Sequence, residues 1–139
     1  QGKKRVLGHN RGAKTVKEVV EEAAKSNIEF LTLFAFSTDN WNRPKDEVNI
    51  LMKLLVSSLK KEFKRLIDNN IRLCSIGNLD SLPILVKQEL LFVIEKTKNN
   101  TGMILTLALN YGGKEEITAA VKTIADKVKN SIISPEKVD

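Results

Sequence analysis

Phe30-Leu31-Thr32-Leu33-Phe34-Ala35-Phe36 is a run of seven residues with one polar member and no charge, glycine or proline. A run this short suits a strand better than a buried helix, and its near-continuous apolarity predicts burial on both faces, as in a parallel sheet. Met103-Ile104-Leu105-Thr106-Leu107-Ala108-Leu109 has the same form and predicts a second such strand. Between them lies a third, shorter run, Ile71-Arg72-Leu73-Cys74-Ser75-Ile76, bounded by polar or glycine-containing segments.

Outside these runs the apolar residues recur at three and four. Ala13, Val16, Val20, Ala23 and Ala24 form one such series, and Val48, Leu51, Met52, Leu55, Leu59, Phe63, Leu66 and Ile67 a second. Leu82, Leu85, Val86, Leu90, Val93 and Ile94 form a third, and Ile117, Ala120, Val121, Ile124, Ala125 and Val128 a fourth. Each series predicts an amphipathic helix. The resulting order is αβαβαβα. Parallel strands need crossover connections, and helices supply them. The expected fold class is therefore α/β, a parallel sheet flanked by helices. Residues 1–139 are about the length of one domain, and no linker, repeat or low-complexity tract divides them.

Composition narrows the function less than the fold. Hydrophobic residues make up 42% and charged residues 29%, a globular balance. The longest uncharged stretches fall well short of the roughly 20 apolar residues of a membrane-spanning helix. Lys and Arg exceed Asp and Glu by 23 to 17, a net charge of +6. That suits a nucleic acid, a phosphorylated metabolite or an anionic lipid surface. The lysines alternate with acids along the helices, as on solvated faces. No basic face is interleaved with aromatic residues, so a nucleic-acid partner is not expected. The single cysteine, Cys74, has no partner for an intrachain disulfide, which fits a reducing, cytoplasmic setting.

In open α/β sheets ligands bind beyond the carboxyl ends of the strands. That directs attention to residues 37–44, to Gly77-Asn78-Leu79-Asp80 and to Asn110-Tyr111-Gly112-Gly113-Lys114, predicted to share one sheet edge. The first is unusually dense in chemistry: Ser37-Thr38-Asp39-Asn40-Trp41-Asn42-Arg43 carries hydroxyls, a carboxylate, amides, an indole and a guanidinium. Pro44-Lys45-Asp46-Glu47 opens the next helix, with proline suited to the first helical position and acids to the positive end of the dipole. Arg43 then falls at or near the N-cap, where Ser, Thr, Asp or Asn is preferred. A guanidinium beside free helix N–H groups fits a diphosphate. The other reading has Arg43 capping a surface turn and Trp41 packing on the sheet edge.

These residues resemble the cis-prenyltransferases, and within them the undecaprenyl diphosphate synthases. Phe36-Ser37-Thr38-Asp39-Asn40-Trp41-Asn42-Arg43-Pro44 is similar to that family's F-S-[ST]-E-N-W-x-R-P signature. Leu7-Gly8-His9-Asn10-Arg11-Gly12 resembles its G-H-x-x-G segment ahead of a helix, and Asn110-Tyr111-Gly112-Gly113 a third signature. All three stand in the family's order and spacing along the whole chain. Asp39 stands where the family usually has glutamate.

The resemblance implies cis-prenyl chain elongation, in which isopentenyl diphosphate condenses with an allylic diphosphate such as farnesyl diphosphate. The implied product is a long-chain undecaprenyl diphosphate for a cell-wall lipid carrier. Asn40, assisted by Ser37, would act in proton removal, although an amide is a poor base and more plausibly orients a proton path. Arg5, His9 and Arg43 would hold the allylic diphosphate. Ser37, Thr38, Asp39 and Trp41 would shape the substrate site, and part of the Val48–Leu59 stripe would line a tunnel for the growing chain. The implied cofactor is Mg2+, whose ligands are expected outside these residues, since the family's metal-binding aspartate should precede Gln1 and further substrate and metal residues should follow Asp139. The domain is thus expected to be incomplete at both ends, and the segment alone inactive. The family further implies a homodimer in the cytoplasm with peripheral membrane contact through its lipid product. The competing reading is a noncatalytic partner subunit of the same fold, against which Ser37, Asn40, Trp41 and Arg43 argue. Trans-type prenyl synthases are all-helical with paired aspartate-rich motifs, and no two aspartates here are adjacent.

Overall fold

The computed structural model describes residues 5–138, and the side chains of Arg5, Val6, Leu7, His9 and Asn10 lie outside the described set. The elements follow the expected order: α1 (Arg5–Lys25), β1 (Phe30–Ser37), α2 (Lys45–Asp68), β2 (Arg72–Ile76), α3 (Ile84–Thr97), β3 (Ile104–Tyr111) and α4 (Gly113–Lys129). A 3-10 helix, Thr38–Asn42, joins β1 to α2, and another, Leu79–Ser81, stands between β2 and α3.

The strands form one parallel sheet in the order β1-β3-β2, so the last strand in sequence is central. Burial follows position. Leu105, Leu107, Ala108 and Leu109 of β3 are all buried. On β1, Leu31 and Leu33 pack against the core, whereas Phe30 and Phe34 are 68% and 63% exposed. The expectation that β1 is covered on both faces is therefore corrected: its apolar run is continuous, but among the described residues Phe30, Phe34 and Ala35 remain exposed.

The core joins Val20 of α1, Met52, Leu59 and Leu66 of α2, and Val86, Leu90 and Val93 of α3 to the sheet. Full burial of one such leucine or valine contributes about 1.5–3 kcal/mol. Thr97 is buried among them because both functions of its hydroxyl are satisfied. Its Oγ1 accepts from Leu73 N at 3.0 Å and donates to Val93 O at 2.9 Å, which ties α3 to β2.

β1 does not end as a regular strand. Phe34 pairs with Ala108, Phe36 with Leu109 and Ser37 with Tyr111, so the register shifts on either side of Phe36. Simple alternation after Leu31 and Leu33 would turn Ala35 inward. The irregularity instead buries Phe36, a re-aiming that bulges commonly perform beside functional sites.

α4 has the amphipathic pattern read from its sequence, yet none of its residues is buried, and Ile117 and Val121 are 67% and 59% exposed. Among the described residues no helix is long and apolar enough to cross a membrane.

Candidate active site

Because the strands are parallel, all three connections that leave their carboxyl ends lie on one edge, as expected. Specific contacts hold them together. Trp41 Nε1 donates to Asn110 Oδ1 at 2.7 Å, and Asn110 Nδ2 donates to Asn78 O at 2.8 Å. Asn78 N in turn donates to Asn110 O at 3.2 Å. The third connection also approaches the first closely: a Cβ at Gly112 would lie 2.5 Å from Thr38 Oγ1.

Within the first loop, Asn40 Oδ1 accepts from the backbone N–H of Ser37 at 3.1 Å, the reciprocal half of a capping box. This donor identifies which amide atom is oxygen, and it engages the only side-chain acceptor Asn40 has. Asn40 is suited to orient and donate, not to abstract a proton as a free base. The Trp41 ring meets buried Phe36 edge-on, with centroids 5.0 Å apart and planes at 76°. Ser37, Thr38 and Asn40 are half-buried, and Asp39 is exposed.

Arg43 stands next to the N-cap of α2, within its expected place, whereas Pro44 is the cap itself and not the first helical residue. Arg43 ends the 3-10 helix, its N–H donating to Asn40 O at 3.2 Å. Proline's fixed φ near −65° suits the cap here as well as the first turn. The Arg43 guanidinium pairs at 2.8 Å with Glu47 in the first turn of α2, so it is held beside the helix N-terminus. Gly8 to Gly12 also differ from expectation. They lie within α1, which begins at Arg5, and not ahead of a helix. The side chains of Arg5 and His9, both expected to bind the allylic diphosphate, are outside the described residues.

The second loop is braced by Asp80, whose carboxylate accepts from Lys87 Nζ of α3 at 2.5 Å. The hydrogen bond to Lys87, and then its charge, hold the Asp80 carboxyl below its ordinary range. A lowered folded value stabilises the brace above the unfolded pKa, about 3.9, and the contribution is lost as pH falls through the folded value. In Lys87→Met, an NMR titration should find Asp80 titrating at higher pH than in the parent. An unmoved midpoint would remove Lys87 as the cause.

Beside the loop, a cavity of about 730 Å3 runs between α1, α2 and the sheet. Leu51, Leu55, Leu105 and Leu107 line its length, Phe36 and Gly12 stand toward the loop, and Asn69 and Ile71 at the far end. The expectation that the apolar stripe of α2 serves both core and cavity fits this arrangement: Met52 and Leu59 are buried in the core and line the cavity as well. At the far end Arg65 of α2 pairs with Glu21 of α1 at 3.2 Å and with Glu62 at 3.1 Å. Partial burial, and then the charge of Glu21, push the Glu62 carboxyl up. Residues 37–43 do not line the cavity, and Phe36 is where loop and cavity meet. Among the described residues no three His, Cys, Asp or Glu side chains gather to hold a metal ion, so these residues do not fit the implied Mg2+.

The sequence places Asn110-Tyr111-Gly112-Gly113 on the shared sheet edge without a role for Asn110; the structure makes Asn110 the junction of the three loops. Its signal was an amide near the end of a mainly apolar strand, with a side chain that tolerates positive φ.

The model of the prenyltransferase family described as undecaprenyl diphosphate synthase matches residues 1–139. An isoprenyl transferase of Clostridium perfringens is 46% identical over 139 residues, which are 100% of this chain and 55% of that protein. The ditrans,polycis-undecaprenyl-diphosphate synthase of Micrococcus luteus, named as specific for (2E,6E)-farnesyl diphosphate, is 46% identical over 134 residues, 96% of this chain and 54% of that one. Lavandulyl diphosphate synthase from Lavandula x intermedia, solved with dimethylallyl diphosphate, superposes with a TM-score of 0.96 at 32% identity, covering 99% of this chain and 59% of that chain. The chain spans about half the length of the curated relatives it matches. With three strands in parallel, the signature loop at their carboxyl edge and an apolar cavity beside it, this chain belongs to the undecaprenyl diphosphate synthase family of prenyltransferases.

Proposed function

We propose that the complete protein elongates an isoprenoid chain in cis, adding isopentenyl diphosphate to an allylic diphosphate such as farnesyl diphosphate to build undecaprenyl diphosphate. The observation that carries this reading is the adjacency of an apolar cavity of about 730 Å3 to a polar loop at the sheet edge. That volume lies within the usual range of pockets that enclose a ligand, and its walls suit a hydrocarbon with its diphosphate outside. The bond between C1 of the allylic substrate and its diphosphate breaks as the isopentenyl double bond attacks C1. The diphosphate departs, and a proton leaves the isopentenyl unit to form the new double bond.

In this reading Arg43, steadied by Glu47, grips the allylic diphosphate together with Arg5 and His9. Asn40, with Ser37, orients the path of the departing proton, while Thr38, Asp39 and Trp41 shape the space around the reacting carbons. Mg2+ would neutralise the leaving diphosphate, with ligands from parts of the complete protein other than these residues. A cytoplasmic homodimer that touches the membrane through its lipid product completes the proposal, supported by the family alone.

The test is incorporation of labelled isopentenyl diphosphate by the full-length protein, with farnesyl diphosphate and Mg2+ supplied. Polyprenyl diphosphate of one main length class is expected, read by chromatography after dephosphorylation. No transfer under these conditions would remove the proposal and leave the noncatalytic-subunit reading.

A further inference from the structure

Asn110 and Thr97 are the buried polar residues of the described core, and they serve different ends. Thr97 ties a helix to a strand. Asn110, 6% exposed, reaches only into the loops of the site. Its Oδ1 accepts from Trp41 at 2.7 Å and its Nδ2 donates to the Asn78 carbonyl at 2.8 Å, so both ends of the carboxamide are engaged by different loops.

Trp41 needs such a hold. Its residue is 37% exposed, so burial alone does not fix the indole. The edge contact with Phe36, on the order of 0.5–1.5 kcal/mol, defines one point of the ring, and the N–H bond to Asn110 defines a second. Two points set its orientation. The loop that carries Trp41 is a five-residue 3-10 helix, a form with poor internal hydrogen-bond geometry, so contacts from outside govern its placement.

The backbone asks for the same residue. Asn110 has φ 48°, a left-handed conformation that asparagine tolerates and most side chains resist. Aspartate could accept from Trp41 but would turn a second oxygen toward the Asn78 carbonyl. Glycine would suit the backbone and lose both bonds.

We propose that Asn110 is a positioning residue: through Trp41 it sets where the loop bearing Ser37 and Asn40 stands relative to the sheet edge. Its catalytic consequence rests on the prenyl-transfer reading above, whereas its geometry does not.

The test uses the full-length protein. The indole N–H signal of Trp41, assigned by its loss in Trp41→Phe, is followed by 1H–15N NMR in Asn110→Gly and Asn110→Asp, alongside turnover and thermal unfolding. In Asn110→Gly the signal should move upfield, the amides of residues 38–42 should exchange faster, and turnover should fall about tenfold to a hundredfold, the scale of a displacement near 1 Å. Asn110→Asp keeps the acceptor, so its indole signal and turnover should stay nearer the parent even though a buried carboxylate facing a carbonyl lowers its stability. If that variant does not fold, the double variant Trp41→Phe with Asn110→Gly decides: it should be no slower than the slower single variant, because both remove one bond. An unmoved indole signal in Asn110→Gly would overturn the proposal, as would turnover that tracks thermal stability across the variants. Should the parent transfer no prenyl unit, the functional reading fails by itself, and the indole signal and loop exchange still decide whether Asn110 positions the loop.

Discussion

Replacing Asn40 by alanine is expected to lower prenyl transfer by about a hundredfold or more, the scale of a lost proton-transfer group, while the protein still folds. Asn40 Oδ1 accepts one bond, from Ser37 N at 3.1 Å, so alanine leaves a half-buried N–H without that acceptor. Its loss costs roughly 1 kcal/mol, a few degrees of thermal midpoint for a chain of this size. Asn40→Asp separates two roles. Aspartate keeps the acceptor for Ser37 and removes the amide donors. If Asn40 serves only as a cap, Asn40→Asp should recover turnover. If it orients the departing proton, both variants should stay slow while Asn40→Asp regains the lost stability. Initial rates of isopentenyl incorporation and thermal unfolding of the two variants decide between these, and parent-like turnover in Asn40→Ala would remove Asn40 from the mechanism.

The largest structural effect is expected at Gly77. It has φ 105°, a conformation that L side chains rarely adopt. A Cβ there would be driven into Leu109 O, with Leu109 C and Asn110 C only 3.1 and 3.2 Å away. The obstacle is backbone of the central strand and cannot swing aside as a side chain could. Gly77→Ala must therefore push β2 and β3 apart where the Asn78–Asn110 hydrogen bonds join them. Strain and clash together should destabilise by about 3 kcal/mol or more, on the order of ten degrees in midpoint. Gly12→Ala is the control. It lies within α1 and meets no atom within 4 Å, so relief of the helical glycine penalty should make it neutral or stabilising by up to about 1 kcal/mol. Chemical denaturation of the pair measures the contrast, and equal midpoints would show that the Gly77 backbone relaxes freely.

Much of the architecture was written in local pattern. Runs such as residues 30–36 and 103–109 cannot be amphipathic helices, and the three-and-four spacing of Leu51, Leu55 and Leu59 cannot be a half-buried strand. Alternation of the two types implies parallel strands, and parallel strands place their outgoing loops on one edge. Residues 37–44 were also legible as a candidate site, because their density of polar groups exceeds what a simple strand-to-helix turn requires. The same local rules misplaced Pro44 by one position and gave β1 a second covered face. Capping preference does not record that proline's fixed φ suits the cap as well as the first turn. Nor does a continuous apolar run record which of its side chains the packed elements cover.

What the amino-acid sequence determined by itself is therefore the αβαβαβα order, the parallel pairing, the edge that carries the site and the family signature within it. These depend on residues close along the chain. The tertiary structure alone decided the strand order β1-β3-β2, the irregularity that turns Phe36 into the core, and the bond between Trp41 and Asn110, residues 69 apart. The reason is physical: periodicity records which face of an element is apolar, whereas strand order, register and cross-loop hydrogen bonds arise only when all the elements pack at once.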